Sequence, residues 1–379
     1  MFWNSDRARP GDPDLEPIYR DLIGMVHAAE VNRWLRLCPA HRETPLVALP
    51  ELANRLGLAG VHIKAEWSRM GLSSFKAVGG AYAVAWLVKE RAERELRRAL
   101  TLDDLRSESS RAVAEKITVA CASAGNHGLS VAAGARMLGA GAVVYLSTSV
   151  AERFADKMRD SGAVVVRGGA SYEESMDNAR TDAERQGWLL VSDSSWPGYT
   201  AVPLTVMRGY TVILQEAALA MEAAGSIATH VFVQAGVGGL AAATAAYLRD
   251  RWGDAVKLIV VEPKGAPCLL ESMRQGACVR IQGGATRLGR LDCKEPSLLA
   301  FQILSRLADG FLLIEDKGAE DAAAEILNYG APVSACGAAG AAGLIAACSD
   351  DSTRSLLTLD SNAHVLLIGT EAADITQGF

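Results

Sequence analysis

The chain has 379 residues, is 50% hydrophobic and carries a formal net charge of -6 at pH 7. This length is enough for two domains or one large one. The acidic balance argues against nucleic acid as a partner. The two long uncharged stretches are too short or too often interrupted by glycine and polar residues to predict a membrane span.

The N-terminal sequence and the cysteines predict the compartment. The stretch "MFWNSDRARPGDPDLEP" lacks the basic start and apolar run of a signal peptide, so we expect no export. The seven cysteines are scattered without a Cys-x-x-Cys pair, which is typical of reduced thiols in a cytoplasmic protein. Because the six histidines form no His-x-x-x-His cluster either, no protein-held metal is predicted.

From residue 117 onward, short apolar runs alternate with helical patterns. The densely charged segment before them, residues 89–116, has mixed signs and predicts a solvated helix and loop. Strands are predicted at 116–123, 141–147, 163–169, 188–193, 229–236, 256–263 and 363–369. Helices are predicted at 125–139, 151–162, 171–187, 202–221, 238–253 and 337–348. This alternation indicates an α/β protein with parallel strands, crossover helices and a sheet buried on both faces.

Glycines mark the strand-to-helix junction "VFVQAGVGGL". The strand ends at Gln234, and the turn that follows leads into an alanine-rich helix. Successive backbone N–H groups and the positive end of the helix would form a cradle for a single phosphate. No Gly-Lys-Ser/Thr follows, and the spacing departs from the dinucleotide fingerprint, so neither an NTPase nor a dehydrogenase is favoured. A simple tight turn is the alternative.

The junction "CASAGNHGLS" has the same strand-to-helix form. Its serine and its backbone amides suit an anion such as a substrate carboxylate. The side chain of Asn126 supplies a neutral donor for a phenolate-like oxygen, although an asparagine here could also be a turn former or helix cap. The residues predicted to bind the anion are Ser123, Ala124, Gly125 and His127.

The stretch "SSFKAVGGAYA" places Lys76 beside Phe75, Ala77 and Val78. Burial among apolar neighbours is expected to lower the pKa of the amine below its ordinary value of roughly 10.4. A neutral amine attacks aldehydes and forms a Schiff base. Alone, such a lysine would be read as a solvated surface residue. Together with an oxygen-holding asparagine and a single-phosphate cradle, it supplies the parts needed for pyridoxal 5'-phosphate.

The order Ser-x-Phe-Lys, Ala-Gly-Asn-His-Gly, Gly-Val-Gly-Gly-Leu resembles the fold-type II (tryptophan synthase β-like) pyridoxal phosphate enzymes, in the threonine/serine dehydratase branch. The segments "GLSSFKAVGGAYA", "VSDSSWPGYTAVPLTVMRGYTVILQE", "CLLESMRQG" and "LDCKEPSLLAF" are similar to the diaminopropionate ammonia-lyases, and the similarity runs from about Pro45 to the end. The resemblance implies two α/β domains with parallel-rich sheets flanked by helices, the cofactor in the cleft between them, and a homodimer. A small domain, residues 78–200, would be inserted in a large phosphate-binding domain, residues 1–77 and 201–379.

The resemblance also implies roles for individual residues. Lys76 would hold the cofactor aldehyde as an imine, and Asn126 would bond its ring hydroxyl oxygen. Thr370 would face the pyridine nitrogen. Asp193 would act as an acid or base near the substrate, with a strand-end turn aspartate as its alternative interpretation, and Ser73 would contact the substrate. The phosphate would lie on Gly236, Val237, Gly238, Gly239 and Leu240.

Three departures from the ammonia-lyase pattern affect the expected substrate. Ala124 stands where those enzymes have an aspartate, residues 335–337 read Ala-Cys-Gly in place of Glu-Ser-Gly, and the ending reads "TEAAD" in place of Thr-Glu-Gly-Asp. Losing a carboxylate near the substrate disfavours a second ammonium and favours a hydroxyl or another leaving group. Cys268 and Cys293 match cysteines of the family. Free thiols are expected, with a bridge between them as the alternative.

The expected reaction is a pyridoxal-phosphate-dependent α,β-elimination from a small amino acid with a β-amino or β-hydroxy leaving group, such as 2,3-diaminopropionate, yielding a 2-oxo acid and ammonia. Two alternatives stay open. One is β-replacement, as in cysteine synthase-like enzymes. The other is an inactive cofactor-binding homologue with a regulatory role.

Overall fold

The computed structural model describes residues 1–7 and 22–373. Its strands are β1 (Phe2–Trp3), β2 (Leu46–Ala48), β3 (Gly60–Ala65), β4 (Thr118–Ala122), β5 (Gly141–Leu146), β6 (Val164–Arg167), β7 (Leu189–Leu190), β8 (His230–Gln234), β9 (Lys257–Pro263), β10 (Gly310–Ile314) and β11 (His364–Gly369). Its α-helices are α1 (Met25–Leu35), α2 (Pro50–Leu56), α3 (Lys76–Leu96), α4 (Glu108–Ala114), α5 (Asn126–Leu138), α6 (Glu152–Asp160), α7 (Tyr172–Gln186), α8 (Ala201–Ala223), α9 (Gly239–Trp252), α10 (Cys268–Gln275), α11 (Leu298–Leu307), α12 (Asp316–Leu327), α13 (Ala335–Ser349) and α14 (Asp351–Leu357). Short 3₁₀ helices span Glu66–Gly71, Asp103–Arg106 and Gly253–Ala255.

The strands form two separate sheets. The seven-stranded sheet has the order β1-β10-β9-β8-β11-β3-β2, and its central pairs are parallel while β1 and β2 pair antiparallel at the two ends. The four-stranded sheet has the order β6-β5-β4-β7 and is parallel throughout. Every residue of β8 is buried, as expected for a strand covered by helices on both faces. The predicted α/β class with parallel-rich sheets is confirmed.

The predicted strands and helices from residue 117 onward are all present within a few residues of their expected ends. The charged segment 89–116 forms the end of α3, a 3₁₀ turn and α4, which agrees with the predicted helix and loop. All strands of the smaller sheet fall between residues 118 and 190. The domain limits at 77/78 and 200/201 themselves stay a prediction.

Helix α3 begins at Lys76 and packs against α5 and α8. It crosses α8 at two glycines, since a Cβ added to Gly209 would lie 2.7 Å from the Cα of Gly79. It crosses α5 in the same way, because a Cβ on Gly134 would lie 2.9 Å from the Cα of Ala81. Contact at backbone distance fixes the helix axis, so the position of Lys76 at its first turn is set by packing on both sides.

A buried ion cluster fixes the segment that precedes Lys76. Arg69, which is 0% exposed, donates to Glu66 at 2.9 Å from its Nε and to Glu216 of α8 at 2.9 Å from one of its terminal nitrogens. Lys64 of β3 also contacts Glu216, at 2.6 Å. Burial opposes the charge of Glu66, but Arg69 outweighs it and keeps the pKa of that carboxyl below its usual range. Two cations and two carboxylates therefore compensate each other where water is excluded.

Within residues 1–7 and 22–373, no helix is both long enough and apolar enough to cross a membrane. The same part of the chain has no group of three His, Cys, Asp or Glu side chains arranged to hold a metal ion.

Candidate active site

One cavity lies at the carboxyl ends of β4, β8 and β11, where ligands bind in open α/β sheets. The loops after these strands face the first turn of α3 across it. The predicted site residues that line it are Lys76, Ser123, Ala124, Gly125, Asn126, His127, Asp193, Gly236, Val237, Gly238, Gly239, Leu240 and Thr370. Ser73 is the exception. It is exposed, its φ is 58°, and its neighbours Phe75 and Lys76 line the cavity instead.

Lys76 and Asp193 form an ion pair inside this cavity. The ammonium donates a hydrogen bond to Oδ2 of Asp193 and lies 5.0 Å from the ring centroid of Phe75 and 5.8 Å from that of Tyr210. Burial disfavours both charges, but their mutual attraction outweighs it. The pKa of Lys76 is therefore raised and that of Asp193 lowered. The expectation that burial alone lowers the pKa of Lys76 was wrong for the protein without cofactor, because a carboxylate distant in sequence lies beside the amine.

The glycine turn after β8 requires glycine at two of its positions. Gly238 has a φ of 97°, and a Cβ there would lie 3.0 Å from the Cβ of Ala300. A Cβ on Gly236 would lie 2.9 Å from Sγ of Cys293. The turn leads into α9 at Gly239, so its N–H groups and the positive end of the helix face the cavity. This is the arrangement expected of a phosphate cradle.

Replacing Gly238 with alanine is expected to lower the free energy of unfolding by about 1–3 kcal/mol, because the backbone conformation is strained for any residue with a Cβ. Gly239→Ala is the matched control, since its Cβ would find its nearest neighbour at 3.5 Å, an ordinary contact. Urea unfolding of both variants measures the difference. Equal stability of the two would show that the turn tolerates a side chain.

The loop after β4 is held by its own serine. Oγ of Ser123 accepts hydrogen bonds from the backbone N–H of Gly125 at 2.9 Å and of Gly128 at 2.8 Å. His127 bonds through Nε2 to the carbonyl oxygen of Val191 at 2.8 Å. Burial lowers the pKa of His127 despite the nearby Asp193, so the ring is neutral and its Nε2–H is the donor. Both side chains fix the loop, and the N–H groups of Asn126 and His127 in the first turn of α5 are left for an anion.

Among the described residues, the side chains of Asn126 and Thr370 each have one hydrogen-bond partner and remaining capacity. The amide of Asn126 donates to Glu371, which also accepts from Oγ of Ser334 at 2.7 Å. Nε2 of Gln234 donates to Oγ1 of Thr370 at 3.0 Å, so the proton of that hydroxyl remains available to an acceptor in the cavity.

Several residues of the cavity were not predicted as site residues. Glu371 directly follows Thr370 in the quoted "TEAAD", so its position was visible although its role was not. Ala372 and Ala373 of that ending lie within the residues that the structure describes, and Asp374 lies outside them. Phe75, Gln234, Asp292, Cys293 and Cys336 stand in motifs quoted above, although no place in the site was predicted for them. Tyr172 and Arg290 stand outside those motifs, and no signal in the sequence identified them.

All seven cysteines are free thiols, as expected. Cys268 and Cys293 lie on either side of the glycine turn. The thiol of Cys268 donates to the carbonyl oxygen of Gly236 at 3.6 Å. Burial raises the pKa of Cys293 to about 12, so this sulfur is a neutral thiol at physiological pH.

Comparison with known proteins decides the family. Residues 37–360 match the family model described as "Pyridoxal-phosphate dependent enzyme". The chain belongs to this family. It is 36% identical over 341 residues to diaminopropionate ammonia-lyase of Escherichia coli strain K12, covering 87% of this chain and 84% of that one. It is 32% identical over 357 residues to the Salmonella typhimurium enzyme of that name, covering 90% and 88%.

Comparison with solved structures indicates the same family of pyridoxal-phosphate-dependent enzymes. The crystal structure of the E. coli enzyme in complex with D-serine superposes with a TM-score of 0.86 at 31% identity, covering 98% of this chain and 93% of the other. Threonine deaminase isoform 2 from Solanum lycopersicum, at 22% identity and a TM-score of 0.75, shares the fold. The fold-type II assignment, the cofactor and the class of enzyme, a lyase, are confirmed.

The residues present fit pyridoxal 5'-phosphate. An amine that can bond an aldehyde projects into the cavity from α3, and a hydroxyl with an available proton lies at the end of β11. A Cβ at Gly236 would meet Sγ of Cys293 and the carbonyl oxygen of Arg290, so the backbone of the turn packs against this wall only because no side chain is present there.

Proposed function

We propose that this enzyme catalyses α,β-elimination from a small amino acid with a β-amino or β-hydroxy leaving group, releasing a 2-oxo acid and ammonia. The observation that supports this is the Lys76–Asp193 pair at the centre of a cofactor cavity. It joins the amine that would hold the cofactor to a carboxylate able to exchange protons beside it. When bound, pyridoxal 5'-phosphate supplies the electron sink that stabilises negative charge at the substrate Cα.

The protein residues would divide the remaining work. Lys76 would hold the aldehyde, then yield to the substrate amine and become free to take the Cα proton. Asp193, in hydrogen-bond contact with it, would take or return a proton on the side of the leaving group. The N–H groups of Asn126 and His127 in the first turn of α5 would hold the substrate carboxylate, and Gly236 to Leu240 would hold the cofactor phosphate.

Two residues would set the electronic character of the bound ring. Asn126 would donate to its hydroxyl oxygen, and Thr370 would face its pyridine nitrogen. A hydroxyl partner leaves that nitrogen largely unprotonated, in contrast to a carboxylate, and so moderates the electron sink. A moderate sink would favour rapid loss of the leaving group over prolonged negative charge at the substrate Cα.

The relatives support the reaction, and Ala124 affects the choice of substrate. The curated relatives are named diaminopropionate ammonia-lyase, and solved structures of the E. coli enzyme are titled as complexes with D-serine and with an aminoacrylate-PLP azomethine reaction intermediate. Ala124 lines the cavity here without a carboxylate. Both 2,3-diaminopropionate and β-hydroxy amino acids therefore belong in the substrate range to be tested.

We also propose that the enzyme is a cytoplasmic homodimer whose small domain, residues 78–200, is inserted in the large one. The small sheet draws its strands from residues 118–190 alone, which supports the domain limits. Free thiols throughout support a reducing compartment.

A substrate panel tests the reaction. Purified holoenzyme is incubated with both enantiomers of serine, threonine, 3-hydroxyaspartate and diaminopropionate, and 2-oxo acid and ammonia are measured without an added nucleophile. We expect release from at least one of them. Product that forms only when a thiol or sulfide is supplied would establish β-replacement instead. A spectral shift on ligand addition without any turnover would establish an inactive homologue.

A further inference from the structure

Arg290 places a guanidinium in the cavity beside the loop that follows β4. A Cβ built on Gly125 would lie 3.4 Å from a terminal nitrogen of Arg290 and 3.1 Å from the ring of Phe154. The guanidinium carbon lies 4.5 Å from the centroid of that ring, within the range of a cation–π contact. The side chain is 28% exposed, so it faces the open part of the cavity.

The segment that carries Arg290 is anchored on both sides. Leu288 and Leu291 are 1% and 6% exposed and lie in the core, and the N–H of Leu291 donates to the carbonyl of Leu288 at 2.7 Å. One residue earlier, the N–H of Arg287 donates to Oδ2 of Asp316 at the start of α12, at 2.8 Å. The direction of Arg290 into the cavity is therefore fixed by buried neighbours and backbone bonds.

The carboxylates of the cavity are already partnered. Asp193 is paired with Lys76, and Asp292 with Lys294 at 2.5 Å. Glu371 accepts hydrogen bonds from an amide and a hydroxyl. A second substrate ammonium would have to displace one of these partners.

The guanidinium of Arg290 is less closely partnered than these carboxylates are. Its nearest carboxylate oxygen belongs to Glu371 and lies 3.7 Å from Nε, beyond hydrogen-bond reach. That Nε is buried and has no hydrogen-bond partner among the described residues. Once Lys76 holds the cofactor, Arg290 is the remaining cation among the described residues that line the cavity. It has the planar donor fork that suits a carboxylate.

We propose that Arg290 binds a second carboxylate on the substrate Cβ, so that the preferred substrate is a β-hydroxy amino acid with two carboxylates, such as 3-hydroxyaspartate. This proposal rests on the proposed elimination. The Cα–H and Cβ–OH bonds break with loss of water, and hydrolysis of the resulting enamine consumes one water. The net products are a dicarboxylic 2-oxo acid and ammonia, without any oxidant or reductant.

The test compares Arg290→Gln with Arg287→Gln as holoenzymes. Arg287 belongs to the same segment, but its side chain is 66% exposed, bonds Glu320 at 2.8 Å and lies outside the cavity. Arg290→Gln is expected to lower kcat/KM for 3-hydroxyaspartate by roughly tenfold to 100-fold, the value of a charged hydrogen-bonded contact. It should lower kcat/KM for serine by less than about threefold, and Arg287→Gln should change neither.

Three outcomes would overturn the proposal. An equal loss with serine and 3-hydroxyaspartate would place the α-carboxylate on Arg290. No loss with either would remove it from substrate binding. A larger loss with O-phosphoserine than with 3-hydroxyaspartate would mean that Arg290 binds an anion on the leaving group.

A binding measurement separates this proposal from the elimination itself. Aspartate and alanine lack a leaving group on Cβ, and their binding is followed by the visible absorption of the cofactor. Wild-type protein should bind aspartate roughly tenfold or more tightly than alanine, and Arg290→Gln should lose that preference. If no amino acid is eliminated but this preference holds, the reaction fails and the role of Arg290 stands. Equal binding of aspartate and alanine by the wild type would overturn that role.

Discussion

Replacing Lys76 with alanine is expected to abolish measurable elimination and to leave no covalent, borohydride-reducible attachment of the cofactor. The amine is the group that would bond the aldehyde, and no other lysine lines the cavity in the described part of the chain. The measurements are 2-oxo acid release on the substrate panel and mass spectrometry of borohydride-reduced peptides. In wild-type protein, the reduced cofactor should be found on the peptide that contains residue 76.

Lys89→Ala is the matched control for this variant. Lys89 lies on the same helix, α3, but outside the cavity, where it pairs with Glu93 at 2.5 Å in an i,i+4 contact that is partly exposed. Losing such a pair costs little stability, so this variant should keep full activity and the yellow colour that the bound cofactor gives the protein. Full activity in Lys76→Ala, or reduction of the cofactor onto another lysine, would contradict the proposed site.

Replacing Asp193 with asparagine is expected to lower kcat by about 10²–10⁴-fold, the range for loss of a general acid or base, while the protein stays yellow. The shape of the side chain is kept, so the cavity should still hold the cofactor. In the cofactor-free variant, the attraction that raises the pKa of Lys76 is gone, and burial should then lower that pKa. Steady-state kinetics and the visible spectrum separate loss of chemistry from loss of cofactor.

Asp177→Asn is the control for this charge change. Asp177 is exposed on α7 and pairs with Arg180 at 3.3 Å, so its loss should leave kcat and the spectrum unchanged. Full activity in Asp193→Asn would remove the acid/base role and leave Asp193 as a partner for the charge of Lys76. A colourless Asp193→Asn protein would show that the carboxylate is needed to hold the cofactor.

The sequence predicted most elements after residue 117 because each buried strand there is a short apolar run followed by a turn signal. Several elements were not predicted, among them β3 and β10, and for these two the reason is physical. The run of β3 is interrupted by His62 and Lys64, and Lys64 is tolerated in the interior because Glu216 compensates its charge. The apolar run of β10 is as long as that of β8, but the charged residues 315–317 follow it instead of a glycine turn, so no turn signal marked its end.

By itself, the sequence determined the cofactor and predicted the parts that would hold it. A lysine among apolar residues, an asparagine in a strand-to-helix turn and a run of glycines are local patterns, and their chemistry depends on the residue type and its immediate neighbours. Tertiary structure decided how those parts are charged and what else surrounds them. Asp193 reaches Lys76 across 117 positions of sequence, and Glu371 reaches Asn126 across 245. Coulombic and hydrogen-bond energies depend on distance in space, which no local pattern in the chain records.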